Sequence, residues 1–373
     1  MLQEPAARSR PGPLRLTLLS VSFSDAQLMR VQSLSLVAAH LGHPFRVVTT
    51  QPGDVLPSLA RTPFASHLQV VTERELQDLI GDDTDVLCTV KALDASLGLG
   101  HRMTARTGTP LLADVDDPDI EARTVASARS GAKSAWKMAH AWRTLPGQVR
   151  LSVLARRAST MVSNPVLQRR WGGAIVPHAR LDEGPGSPHT SDAPRIAFVG
   201  TPKTHKGIHL LREAVSRLSG DGWQLLVTSG PPADARPWET WVGPLDGSYD
   251  SARLTAESDV VVIPSLDYGW AKAQLPLKLM DAMLLGRAVV VSGVGPLPWA
   301  VGPAGSVFRP GSVDSLVEVL RPLGDPVVRA AAGAAARDHA LGRYTVQAVA
   351  PAFQRAVMDV WSAGRPPGAT HRR

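Results

Sequence analysis

The stretch RIAFVGTPKTHKGIHLLREAVSRL, Arg195–Leu218, decides the fold. Arg195–Val199 reads as a short buried strand, Gly200 lets the backbone turn tightly, and a helix opens near Gly207 and runs over Ile208–Leu218. The free N–H groups and the dipole of that helix start would stand beside the carboxyl end of the strand, where an anion is stabilised. Lys203 and Lys206 flank the turn and would neutralise a diphosphate. An ordinary strand-loop-helix with solvated lysines fits the same spacing, because helix starts are common.

The pattern repeats outward in both directions. Strand-like runs fall at Leu14–Val21, Phe45–Thr49, Val86–Thr89, Leu111–Val115, Thr160–Ser163 and Ala174–Val176, then at Arg195–Val199, Gln224–Thr228, Val260–Ile263, Ala288–Ser292 and Ser306–Phe308. Helical patterns lie between them, as at Gln27–Leu41, Pro276–Leu285 and Ser312–Leu320. This alternation predicts parallel sheets covered on both faces. At 373 residues the chain exceeds a single core. Leu181–Pro194 (LDEGPGSPHTSDAP) has linker composition. The expectation is therefore an α/β chain with two Rossmann-like domains, 14–180 and 195–345, a linker at 181–194, and a disordered leader (1–13) and tail (364–373).

Composition narrows the function classes. A 44% hydrophobic and 20% charged chain is globular. One cysteine, Cys88, excludes an intramolecular disulfide and suits a cytoplasmic compartment. No run approaches the roughly 18–20 apolar residues that span a bilayer. The net charge of +7 is dispersed and aromatics make up only 5%, which argues against nucleic acid as a partner. A basic surface serving phosphorylated substrates or a peripheral membrane contact is the better use of it.

A second stretch, AKAQLPLKLMDAMLLG (Ala271–Gly286), places Pro276 in a first helical turn and Lys278 and Asp281 on one helix face. A lysine in a first turn opposes the helix dipole unless an anion lies in front of it. Asp281 has the chemistry to accept hydrogen bonds from ribose hydroxyls. A surface Lys–Asp pair is the plainer alternative.

Taken together, VGTPKTHKG, SDVVVIPS, QLPLKLMDAMLLGRAVVVS and VGPAGSVFRPGSVDSLVEVL resemble, in order from Arg195 to Tyr344, the C-terminal domain of retaining GT-B glycosyltransferases of glycosyltransferase family 4. SDAQLMRVQSLSLVAAHLGH, LLADVDD and VSNPVLQRRWGGAIVPHA resemble segments of that family's first domain. The resemblance implies a GT-B fold, two Rossmann-like domains facing across a cleft, with a last helix (346–363) crossing back to the first. It implies hexosyltransferase-type transfer from a nucleotide-diphosphate sugar to a hydroxyl acceptor, a natural-product scaffold or a cell-surface or lipid-linked glycan, with no cofactor and no metal. Lys206 matches the basic residue on the donor diphosphate, and Asp281 the second acid of an E-x7-E element that holds the ribose. Gly200 and Thr201 match a glycine–arginine pair whose arginine is missing, with Lys203 as its substitute. The first acid falls at Ala273 and is absent, while Gln274, Lys278 and Asp281 form a Q-x-P-x-K-x-x-D variant. Ala273 and Thr201 also suit an impaired protein that binds nucleotide sugar without transferring it.

In the first half, Asp25 and Arg30 are expected on the acceptor loop, with helix capping and surface charge as the alternative. Asp114, Asp116 and Asp117 close a strand, and their mutual repulsion calls for a ligand or a cation. Asp116, at a place the family gives to a histidine, is expected to act in catalysis with Lys206 and Lys278, and Asp117 to bind acceptor. Ala128–Arg150 reads as a basic helix with Trp136 and Trp142, either packed inward or lying on an anionic membrane. His101, His178 and His205 lack metal-ligand spacing, and His178 is expected near the cleft.

Overall fold

Each half of the chain alternates strand and helix, and each builds one parallel sheet. A computed structural model describes residues 12–119, 135–187, 192–200, 202–243 and 251–364. Thr201 and the side chains expected to matter in Ala128–Arg150 (Lys133, Trp136, Lys137, Trp142 and Arg143) lie outside the described residues.

The first sheet has seven strands: β1 (Leu16–Leu19), β2 (Phe45–Thr49), β3 (Leu68–Val70), β4 (Val86–Val90), β5 (Leu111–Val115), β6 (Ser159–Val162) and β7 (Ala174–Ile175). Their order is β3-β2-β1-β4-β5-β6-β7. The second has six: β8 (Arg195–Phe198), β9 (Gln224–Val227), β10 (Glu239–Trp241), β11 (Val260–Ile263), β12 (Ala288–Ser292) and β13 (Ser306–Phe308), ordered β10-β9-β8-β11-β12-β13. Central strands such as VLCTV and AVVVS are buried throughout, as strands covered on both faces must be. Strand order reverses between β1 and β4 and between β8 and β11. Ligand sites of doubly wound sheets lie beyond the strand ends at such points.

The longer helices are α1 (Leu28–His40), α2 (Glu73–Asp82), α3 (Leu99–Thr107), α4 (Ala135–Arg157), α5 (Pro165–Trp171), α6 (Ile208–Leu218), α7 (Leu277–Leu284), α8 (Val313–Leu320), α9 (Pro326–Leu341) and α10 (Val346–Ala363), of which α1 and α7 line the cleft. The last helix buries Val346, Val349, Phe353, Val357 and Val360 in the same core as Leu28, Val31 and Leu34 of α1 and Leu16, Leu18 and Val86 of the first sheet. Its start is pinned by Thr345, whose hydroxyl accepts from the Ala348 N–H at 3.2 Å.

Two readings from composition change here. The edge strands β3 and β10 carry too short and too exposed a pattern to stand out in the sequence. The segment read as a linker is fastened to the second half at two points. Asp182 pairs with Arg337 at 2.9 Å, and the Gly186 N–H donates to the Leu285 carbonyl at 3.0 Å. Gly, Pro and Ser mark irregular backbone, and irregular backbone is not the same thing as free backbone.

Candidate active site

The turn after β8 is held by local constraint. Gly200 has φ 111°, and its N–H donates to the Thr228 hydroxyl at 2.6 Å. Gly207 opens α6 at φ 67°, and a Cβ there would stand 1.9 Å from the Pro264 carbonyl oxygen, so only glycine fits. Between them, half-buried Lys206 faces the cleft while Lys203 points to solvent and is not part of the cleft wall.

Lys278, in the first turn of α7, donates to the Val199 carbonyl and lies 4.9 Å from the centre of the Phe198 ring. A Cβ built on Gly200 would lie 3.5 Å from the Nζ atoms of both Lys206 and Lys278. The two ammonium groups thus converge on one glycine, with no carboxylate partner among the described residues. Burial and the neighbouring Lys206 push Lys278 down to about 7, and burial with Lys203 lowers Lys206. Two uncompensated cations beside a helix start make a receptor for a multiply charged anion.

Asp281, one turn further along α7, accepts from the Arg180 guanidinium at 2.5 Å. Burial raises the carboxyl and Arg180 opposes the rise. The expected ribose acceptor therefore already shares an oxygen with an arginine from the end of the first half. Gln274 lines the cleft. Ala273, at the place of the absent acid, is not among the residues that line the cleft. It is buried among Ala92, Leu97, Ala113 and Val115, and its carbonyl accepts from Asn164 Nδ2 at 2.9 Å.

The facing wall corrects the first-half expectations. Asp25 closes its own turn, accepting from the Gln27 N–H at 3.0 Å and the Gln27 side chain at 2.7 Å, and Gln27 lines the cleft in its place. Arg30 is drawn inward from α1. It makes a two-pronged pair with Asp114 at 2.6 and 3.0 Å and donates to the carbonyls of Val176 and Pro177. Four of its five N–H groups join α1, β5 and the end of the first domain, so it braces the wall that it also lines.

The cation that the strand-end aspartates require is Lys91, which the sequence reading missed. Its ammonium lies 3.0 Å from Asp116 and 3.7 Å from Asp119, and closer still to Asp117. Lys91 is the one non-glycine residue with positive φ, 74°, among the described residues. Burial opposes the Asp116 charge, but Lys91 and then Arg30 outweigh it and hold the carboxyl below its ordinary range. Burial raises Asp117 in spite of Lys91. His178 is buried beside them; desolvation, with Arg30, pushes it down to about 3, so it is neutral, and its Nδ1 has no hydrogen-bond partner.

These walls enclose a cleft of about 590 Å³. The first half brings Gln27, Lys91, Asp116, Asp117, His178 and Arg180; the second brings Gly200, Lys206, Gln274, Lys278 and Asp281. Among the described residues no three His, Cys, Asp or Glu side chains are grouped to hold a metal ion, and no helix is long and apolar enough to cross a membrane.

Two parallel-sheet α/β domains with a shared cleft at their strand ends define the GT-B fold. Solved structures of similar shape agree. A sucrose-phosphate synthase from Thermosynechococcus elongatus matches over 94% of this chain and 100% of its own, with TM-score 0.66 and 17% identity. HepE from Anabaena, solved in complex with UDP-glucose, matches over 93% and 100%, with TM-score 0.68 and 14% identity. Within that fold, residues 193–325 match the family model of the glycosyl transferases group 1. Starch synthase 1 of Arabidopsis thaliana is 31% identical over 162 residues, 36% of this chain. The chain spans about a quarter, 24%, of that relative's length.

Proposed function

We propose that the chain is a retaining, hexosyltransferase-type glycosyltransferase. It moves a sugar from a nucleotide-diphosphate sugar to a hydroxyl of a natural-product scaffold or of a cell-surface or lipid-linked glycan. The observation that carries this reading is the convergence of Lys206 and Lys278 on Gly200 beside the start of α6. HepE, solved with UDP and with UDP-glucose, supports a donor of this class.

In this reading residues 195–345 hold the donor and residues 14–180 the acceptor. Gly200, Lys206, Lys278 and the α6 N–H groups hold the diphosphate, and Gln274, Asp281 and Arg180 the nucleoside side. Charge builds on the leaving phosphate as the glycosidic bond breaks, and the preorganised ammonium groups stabilise it without a metal. The acceptor oxygen bonds to the anomeric carbon on the face the phosphate leaves, and its proton passes to a departing phosphate oxygen. Asp116, kept ionised by Lys91, accepts a hydrogen bond from a hydroxyl at the reacting end, beside Asp117.

Exposed Leu145, Val149 and Val153 follow one another along α4 beside Arg150, Arg156 and Arg157. That face supports a peripheral contact with an anionic membrane from the cytoplasmic side.

A second reading, a protein that binds nucleotide sugar without transferring it, draws on the buried Ala273. Transfer or donor hydrolysis abolished by Lys206→Ala and Lys278→Ala supports the enzyme. Tight nucleotide binding with no turnover across acceptors would select the second reading.

A further inference from the structure

A buried chain of hydrogen bonds ties the reacting end of the acceptor wall to the donor loop. Asn164 is fully buried at the start of α5. Its side-chain oxygen caps that helix, accepting from the Val166 and Leu167 N–H groups at 3.0 and 3.2 Å. Its Nδ2 donates across the contact between the two domains to the Ala273 carbonyl at 2.9 Å and also to the Ser163 hydroxyl at 3.0 Å. The Ser163 hydroxyl in turn donates to the Asp116 carbonyl at 2.8 Å. So the two N–H bonds of one amide face two domains: one reaches the residue before Gln274, the other the strand end that carries Asp116.

The loop end that Asn164 grips is also an apolar plug. The Ala273 methyl lies in the buried apolar cluster that also holds Ala92 and Val115, the residues beside Lys91 and Asp116. A small apolar side chain fits that seat, whereas a carboxylate would be buried there without compensation. Plug and amide bond form only when the domains are together, and both sit at the reacting end of the cleft.

We propose that Asn164 is a positioning residue, a latch that couples domain closure to the alignment of Asp116 with the Gln274–Asp281 donor element. The kinetic part of this rests on the glycosyltransferase reading; the closure part does not. When the cleft opens, Nδ2 loses the Ala273 carbonyl while the helix cap stays, so α5 is intact in both states. When it closes, one amide fixes both walls in register.

The test is Asn164→Ser, with Ser163→Ala as the second variant. Serine still caps α5 but cannot reach Ala273. Small-angle scattering of the ligand-free chain is expected to show a larger radius of gyration for Asn164→Ser than for the parent, and Ser163→Ala, which keeps the Ala273 bond, is expected to match the parent. In transfer assays kcat falls about tenfold or more for Asn164→Ser, the scale of one buried hydrogen bond left unmade, while the Kd for the sugar nucleotide changes less than about threefold. Ser163→Ala lowers kcat with the closed shape retained. Identical scattering and identical kcat in Asn164→Ser and parent would overturn the latch, as would a melting curve showing that Asn164→Ser unfolds α5 while Ser163→Ala leaves both kcat and shape unchanged. No sugar-nucleotide binding by the parent chain would instead count against the glycosyltransferase reading and leave the scattering result to decide the latch.

Discussion

Lys278 is held near neutrality by burial and by Lys206, and a diphosphate arriving between them reverses that balance. The free side chain loses its proton above about 7, and the bound one regains it, so binding takes up a proton. Affinity for a sugar nucleotide is therefore expected to fall as pH rises from 7 to 9, with a slope approaching about tenfold per unit. Calorimetry in two buffers of different ionisation enthalpy measures the uptake; a pH-independent Kd with no proton uptake would remove Lys278 from the diphosphate. The same shift acts oppositely on the empty fold. Between about 7 and 10.5 the unfolded chain holds the proton and the folded one does not, so this residue makes stability rise with pH across that window. Lys91 behaves in the other sense, as a buried cation fully met by carboxylates. Lys91→Met leaves Asp116 and Asp117 facing each other, and the expected loss is about 3–5 kcal/mol in chemical denaturation. An unchanged midpoint would mean that the aspartates are compensated elsewhere.

At the scale of elements, strand-turn-helix units place the chemistry, and glycine makes the turns. Gly207→Ala faces both a positive φ and the Pro264 carbonyl, whereas Gly42→Ala at the end of α1 faces positive φ in open space. Gly207→Ala is expected to cost well over about 1 kcal/mol and to abolish sugar-nucleotide binding, while Gly42→Ala costs about 1 kcal/mol and leaves binding intact. Equal effects in melting and binding would show that the α6 start does not depend on its contact with Pro264. Such units were legible in the sequence because their signals are local: Phe45–Thr49, Leu111–Val115, Val260–Ile263 and Ala288–Ser292 fall where their β-branched runs placed them. The second-half wall of the cleft was legible for the same reason, since Lys206, Gln274, Lys278 and Asp281 sit in two short patterned stretches. The first-half wall was not. Arg30 and Asp114 are 84 residues apart, Lys91 and Asp117 are 26 apart, and nothing local announces either pair. The cap that Asn164 makes is local to its own segment, and only its second role needs the other domain.

At the scale of the molecule, the cleft exists because two sheets present their strand ends to one another and α10 returns from the second half to the core of the first. Arg180 and Thr345 mark that crossing, joined by a backbone bridge, and Arg180 also grips Asp281. The crossing between the halves and the Asp281 wall of the cleft are thus joined through one residue. The most direct measurement of the central claim is a thermal-shift titration of the parent chain and of Lys206→Ala/Lys278→Ala with UDP-, GDP-, ADP- and dTDP-sugars. At a hundredfold excess over Kd, one of these donors is expected to stabilise the parent by about 2.7 kcal/mol, a rise of several degrees. The double variant is expected to stay folded and to show no rise. A parent chain that no sugar nucleotide stabilises, or a double variant stabilised as much as the parent, would contradict the assignment of a donor diphosphate to the two lysines above Gly200.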